Sequence, residues 1–94
     1  MTANTINLGT FEAELAQGIR HYAAQSAFPL VKACIVIREK TENGERIGLY
    51  HEGKGIMAGV VQITNNETII TAPHIAIREL FEKALAETKT MFGI

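Results

Sequence analysis

Apolar residues recur at Phe11, Leu15, Ile19 and Tyr22, which places them on one stripe of a helix. Thr10 stands where an N-cap belongs, and Glu12 and Glu14 occupy the first turn, where the helix dipole favours anions. Gly18 interrupts the run and points to close packing against another element. Pro29 biases Phe28 towards an extended backbone, so the helix is predicted to end by about Gln25. A second helix follows Pro73. Ile77, Leu80, Phe81, Ala84, Leu85, Thr88, Met91 and Phe92 keep the 3.6-residue period, Glu79 and Lys83 are spaced for an i,i+4 pair, and Gly93 is a natural stop.

Between the helices the pattern changes to strands. The segment Leu30 to Glu39 is rich in β-branched residues, and Thr41-Glu-Asn-Gly-Glu45 is a hairpin signal. A two-residue turn at Asn43-Gly44 pairs Ile37 with Tyr50. A three-residue loop, Glu42-Asn43-Gly44 with Gly44 left-handed, pairs Ile37 with Leu49 and Glu39 with Ile47. The second register is preferred, because it gathers Ala33, Ile35, Ile37, Ile47 and Leu49 on one face. Gly53-Lys54-Gly55 breaks the chain; Ile56 to Thr64 and Glu67 to Ala72 are predicted as two further strands. A tight turn at Asn65-Asn66 pairs Val61 with Ile70 and Ile63 with Thr68. The result is an α+β fold in the order α-β-β-β-β-α, with a four-stranded, mainly antiparallel sheet packed against two helices on one face. Residues 1–94 are expected to form one domain, with 1–9 as an N-terminal arm.

A sheet covered on one side should read polar on the other. Here Met57, Gly59, Val61, Ile63 and Ile70 share one face, yet Ile56, Ala58, Val60 and Ile69 also align, together with Cys34 and Val36. A contiguous apolar patch of this kind marks an interface. Val36, Ile56, Val60 and Ile69 are its predicted anchors, with Lys32, Arg38, Tyr50 and Gln62 around them. The competing reading places one helix on each face and makes the patch a second core layer.

Composition narrows the function classes. The chain has 94 residues with 9 Lys+Arg against 10 Asp+Glu, for a net charge of −1. That balance argues against a dedicated nucleic-acid domain and against a polybasic membrane binder. At 47% hydrophobic the chain is not disordered, yet no apolar run approaches the length of a membrane span. The first residues lack the basic and apolar regions of a secretory signal, and Cys34 is the only cysteine, so the expected location is the cytoplasm.

Catalytic constellations are sparse. His21, His51 and His74 have no metal-ligand spacing, and no P-loop or dinucleotide fingerprint appears. Ser26 is the only serine and there is no aspartate, which excludes a Ser-His-Asp triad. Cys34 lacks a neighbouring His or helix N-terminus in the sequence and reads as a packed residue. No catalytic residue, metal site or cofactor is therefore predicted. The densest polar cluster is His51-Glu52 beside Gly53-Lys54-Gly55, and His51, Glu52 and Lys54 are candidate residues for a small molecule or anion. The leading expectation is a non-enzymatic protein–protein interaction module, homodimeric, with an accessory, inhibitory or assembly role. A ligand-binding protein or small enzyme at the His51–Gly55 loop is the first alternative. Single-stranded nucleic-acid binding through Tyr50 is the second.

Overall fold

A computed structural model describes residues 9–51, 55–65 and 67–94. Helix α1 spans Phe11–Ala24 and helix α2 Pro29–Lys32. Strands follow at β1 Cys34–Thr41, β2 Gly44–His51, β3 Ile56–Thr64 and β4 Thr68–Thr71, and helix α3 spans Ile75–Phe92. The four strands form one antiparallel sheet in the order β1-β2-β3-β4. The predicted α-β-β-β-β-α architecture holds, with α2 as an added single turn.

Local chemistry places the helix ends. Thr10 Oγ1 accepts the Ala13 N–H at 3.1 Å, and Glu14 reaches back to the Gly9 N–H at 2.9 Å. The start of α3 is capped by a histidine: His74 Nδ1 accepts the Ala76 N–H at 3.2 Å. Its end is the left-handed Gly93, with φ of 75°. Residues Leu30–Lys32, which read as strand from composition, instead continue a helical turn. Pro29 sits at its first position, and Val31 N–H and Lys32 N–H both donate to Phe28 O at 3.0 Å. β1 consequently begins at Cys34.

The first hairpin departs from both predicted registers. Thr41 pairs with Gly44 across a two-residue turn at Glu42-Asn43, so Val36 faces Leu49, Ile37 faces Gly48 and Arg38 faces Ile47. Gly44 is not left-handed; it is a strand residue. A Cβ there would come within 1.8 Å of Ile63 O, so β3 leaves no room for a side chain. Charge completes the specification. Glu45 is 2% exposed on the helix side of the sheet and receives a two-pronged hydrogen bond from Arg38, through Nε and Nη2, with Lys40 Nζ 3.6 Å away. The Arg38 guanidinium holds the Glu45 carboxyl below the usual carboxylate range, against the opposing effect of burial. Counting apolar faces alone omits this pair and so selects the wrong slip.

The last hairpin has the predicted pairing, Val61 with Ile70 and Ile63 with Thr68. Asn66, half of its predicted turn, lies outside the described residues; Thr64 N–H donates to Glu67 O at 2.9 Å beside it. Between β2 and β3 a bulge intervenes: Leu49 pairs with Gly59 and Tyr50 with Met57, leaving Ala58 as the extra residue. The bulge moves Met57 to the face opposite Gly59 and breaks the simple alternation predicted for β3.

Helices α1 and α3 pack on each other and on the same side of the sheet. Leu15, Ala16, Ile19, Phe81 and Ala84 from the helices and Ile47, Leu49 and Val61 from the strands are all buried in one core cluster. Gly18 faces Ala84 where the helices meet, although a Cβ there would make only an ordinary contact with Ala84 Cβ at 3.4 Å. Gly59 is what lets α3 approach the sheet: an added Cβ would lie 2.7 Å from Ile77 Cγ2 and 3.3 Å from Phe81 Cε2.

Candidate functional site

Both long helices lie on one side, and among the described residues no element covers the other side of the sheet, hereafter the open side. The pairing aligns its side chains in four rows, the last of them Thr41, Gly44 and Thr64. Ile35, Tyr50 and Met57 form the first; Ile37, Gly48, Val60 and Thr71 the second; Glu39, Arg46, Gln62 and Ile69 the third. Ile35, Ile37, Met57 and Ile69 are each 43–47% exposed. The first row is wholly apolar and the third is mainly polar, so the face is graded along the strands.

Gly48 lies at its centre and is covered by the Tyr50 ring. A Cβ on Gly48 would meet Tyr50 Cε1 at 2.6 Å, so only glycine lets the ring lie across the strand. This is aromatic cover of a strand glycine, and it gives the middle of the face a low, smooth surface. At the polar end Arg46 Nη2 donates to Glu39 Oε1 at 2.6 Å. Arg46 and Glu39 therefore cancel, and the face carries no net charge from its strand residues.

Four predicted interface residues, Tyr50, Val60, Gln62 and Ile69, lie on this open face. The others do not. Val36 and Arg38 point to the helix side, because Val36 faces buried Leu49 and Arg38 faces buried Ile47. Cys34 and Ala58 likewise pack against the core cluster. Ile56 pairs with His51 at the far end of the covered side, where it is 56% exposed, and Lys32 belongs to α2. In their place the open face has Ile35, Ile37 and Met57, which the preferred register and the simple alternation of β3 put inside. The alternation of β1 holds that information; the hairpin turn decides which half of it points outward.

The second candidate site divides at the boundary of the described residues. Glu52 and Lys54 lie outside them, while His51 is the last residue of β2. Its ring lines a cleft of about 280 Å³ with Phe28, Leu30, Val31, Ala58, Pro73, His74 and Ile77. The cleft is apolar apart from the two histidines. His74 commits Nδ1 to the helix cap, and its ring stands edge-on to Phe28 at 6.3 Å.

The fold also supplies a neighbour that Cys34 lacks in the sequence. Cys34 and His51 are cross-strand partners, with Sγ 3.6 Å from His51 Nδ1. The thiol also donates to Leu30 O at 3.2 Å, and burial pushes its pKa up. That shift is opposite in direction to the one that activates a nucleophilic cysteine. Among the described residues no cluster of three or more His, Cys or Glu is placed to hold a metal ion. Among them, too, no helix is long and apolar enough to cross a membrane.

These features define a class: a small two-layer α+β protein with one sheet face sealed by helices and the other open and apolar. No family model, curated protein or solved structure matches the chain.

Proposed function

We propose that the chain is a non-enzymatic protein-interaction module that docks through its open sheet face, in an accessory, inhibitory or assembly role. The observation that carries this reading is the apolar first and second rows, Ile35, Tyr50, Met57, Ile37 and Val60, on the side of the sheet away from both long helices. Ile35, Ile37, Met57 and Ile69 are all exposed on this one face, and a contiguous apolar patch of that kind on a small protein is commonly functional. Single-stranded nucleic acid fits the face less well. Such ligands favour several aromatic platforms in a basic groove, whereas these rows hold one ring and one cation already paired.

The test is polar substitution. Ile37→Glu and Val60→Glu are each expected to keep the native far-UV circular dichroism and melt within a few degrees of the parent in dilute solution. Collapse of the fold in both would make the face a core layer and refute the reading.

A ligand-binding reading is favoured by one observation, the apolar cleft with His51 and His74 on its wall. Titration with benzoate or indole, followed by NMR, should then move the ring signals of both histidines together with Phe28 and Ile77. Unchanged signals would remove it.

A further inference from the structure

We infer that the occupant of the open sheet face is a second copy of this chain, arranged about a two-fold axis that runs parallel to the strands between the two sheets. The inference rests on the reading of that face as a docking surface and commits it to one partner.

Charge is the first argument. The strand residues of the face contain one acid and one base, Glu39 and Arg46, already paired with each other. Such a face has no sign to offer an acidic or basic partner, and it meets its own copy without opposing like charges. Area is the second. A standard interface buries ~800 Å² per partner, and about 65% of that is apolar in homodimers, or about 520 Å². The exposed portions of Ile35, Ile37, Met57 and Ile69 contribute to such an apolar area, and the stems of Glu39, Arg46 and Gln62 extend it.

The grading of the rows then selects the axis. A two-fold axis across the strands would turn one sheet end for end. The Glu39–Arg46 pair would lie on the apolar row of the other copy and be desolvated there. An axis along the strands keeps each row against its equivalent, with β1 over β4 and β2 over β3. Tyr50 then meets Met57 of the second copy, and Val60 meets the Tyr50-covered Gly48. The polar rows come together at one rim, in water. Two sheets stacked about 10 Å apart in this way make a four-layer α/β/β/α particle.

The decisive experiment is sedimentation equilibrium at concentrations from about 1 to 100 µM, a span that brackets the micromolar affinities available to interfaces of this size. It is run on the parent, on Val60→Glu, and on Tyr50→Lys and Met57→Glu separately and mixed. The parent is expected to reach twice its 10.3 kDa chain mass. Each variant should be a folded monomer, with association weakened tenfold or more. The equimolar mixture of Tyr50→Lys and Met57→Glu should regain a dimer, because only the axis along the strands sets the new ammonium of one copy against the new carboxylate of the other. A dimeric parent without rescue by the mixture overturns the axis. A monomeric parent with a folded, monomeric Val60→Glu overturns self-association but leaves the face free for another protein. A dimer that survives Val60→Glu overturns both readings, and so does a Val60→Glu chain that fails to fold in company with Ile37→Glu.

Discussion

Val60 and Val61 are adjacent in β3 and point to opposite sides of the sheet, so truncating each in turn measures the two faces with one chemistry. Val61 is 1% exposed, faces Ile47 and Ile70, and belongs to the core cluster. Val61→Ala removes two methyl-sized groups at ~0.8 kcal/mol each and leaves a cavity whose walls relax only in part, so the expected loss is about 2–3 kcal/mol. Val60 faces Gly48 and Thr71 on the open side. There the same truncation leaves no enclosed void, and a loss of about 0.5 kcal/mol or less is expected in the monomer. Urea unfolding followed by circular dichroism reads both values, provided that the protein is dilute enough to remain monomeric; otherwise association adds to apparent stability. For a chain of this length the Val61→Ala loss corresponds to a melting temperature lower by roughly 10–15 °C. Equal losses at the two positions would refute the argument, since they would require something to cover Val60 as tightly as the helices cover Val61.

Four further outcomes test the rest of the structure. Acidification should weaken the fold through Glu45: its carboxyl titrates lower in the folded chain than in the unfolded one, so its contribution is full above the ordinary carboxylate range and fades as pH falls below it. A pH series of urea midpoints checks this, and Glu45→Gln should flatten the acid limb. Arg38→Ala leaves that buried carboxylate with Lys40 alone at 3.6 Å and should cost about 2 kcal/mol at neutral pH in the same assay. Gly59→Ala forces a Cβ to within 2.7 Å of Ile77 and should cost about 1–3 kcal/mol by overpacking, whereas His74→Ala should lose about 1 kcal/mol of cap that His74→Asn restores, both read from thermal melts.

The parts of the fold visible in the sequence are those set by local periodicity. The stripes Phe11–Tyr22 and Ile77–Phe92 require only the 3.6-residue repeat and their caps, and both helices stand where that repeat puts them. The β3–β4 pairing is equally legible, because a short turn between two apolar runs admits few slips. What escapes is decided by contacts distant in sequence. Leu30–Lys32 has strand-like composition, yet Pro29 presets one helical turn and Val31 finds a buried place. The bulge at Ala58 brings Gly59 under Ile77 and Phe81, a fit that no alternation pattern records.

The open face shows most clearly how one such error propagates. Period-2 alternation establishes that β1 has two apolar halves, Cys34 with Val36 and Ile35 with Ile37. It does not say which half is inside, because moving the register by one residue exchanges them. The choice falls to a polar pair. Glu45 lies beneath the helix side, next to Ile47, and is tolerable there only with Arg38 reaching it diagonally across the hairpin. Placing Arg38 inward carries Val36 and Cys34 inward with it and sends Ile35 and Ile37 out. The apolar outer face is therefore present but shifted in membership. Tyr50, Val60, Gln62 and Ile69 stay, Ile35, Ile37 and Met57 join them, and a buried charge pair in the first hairpin determines which side chains the open side of the sheet displays.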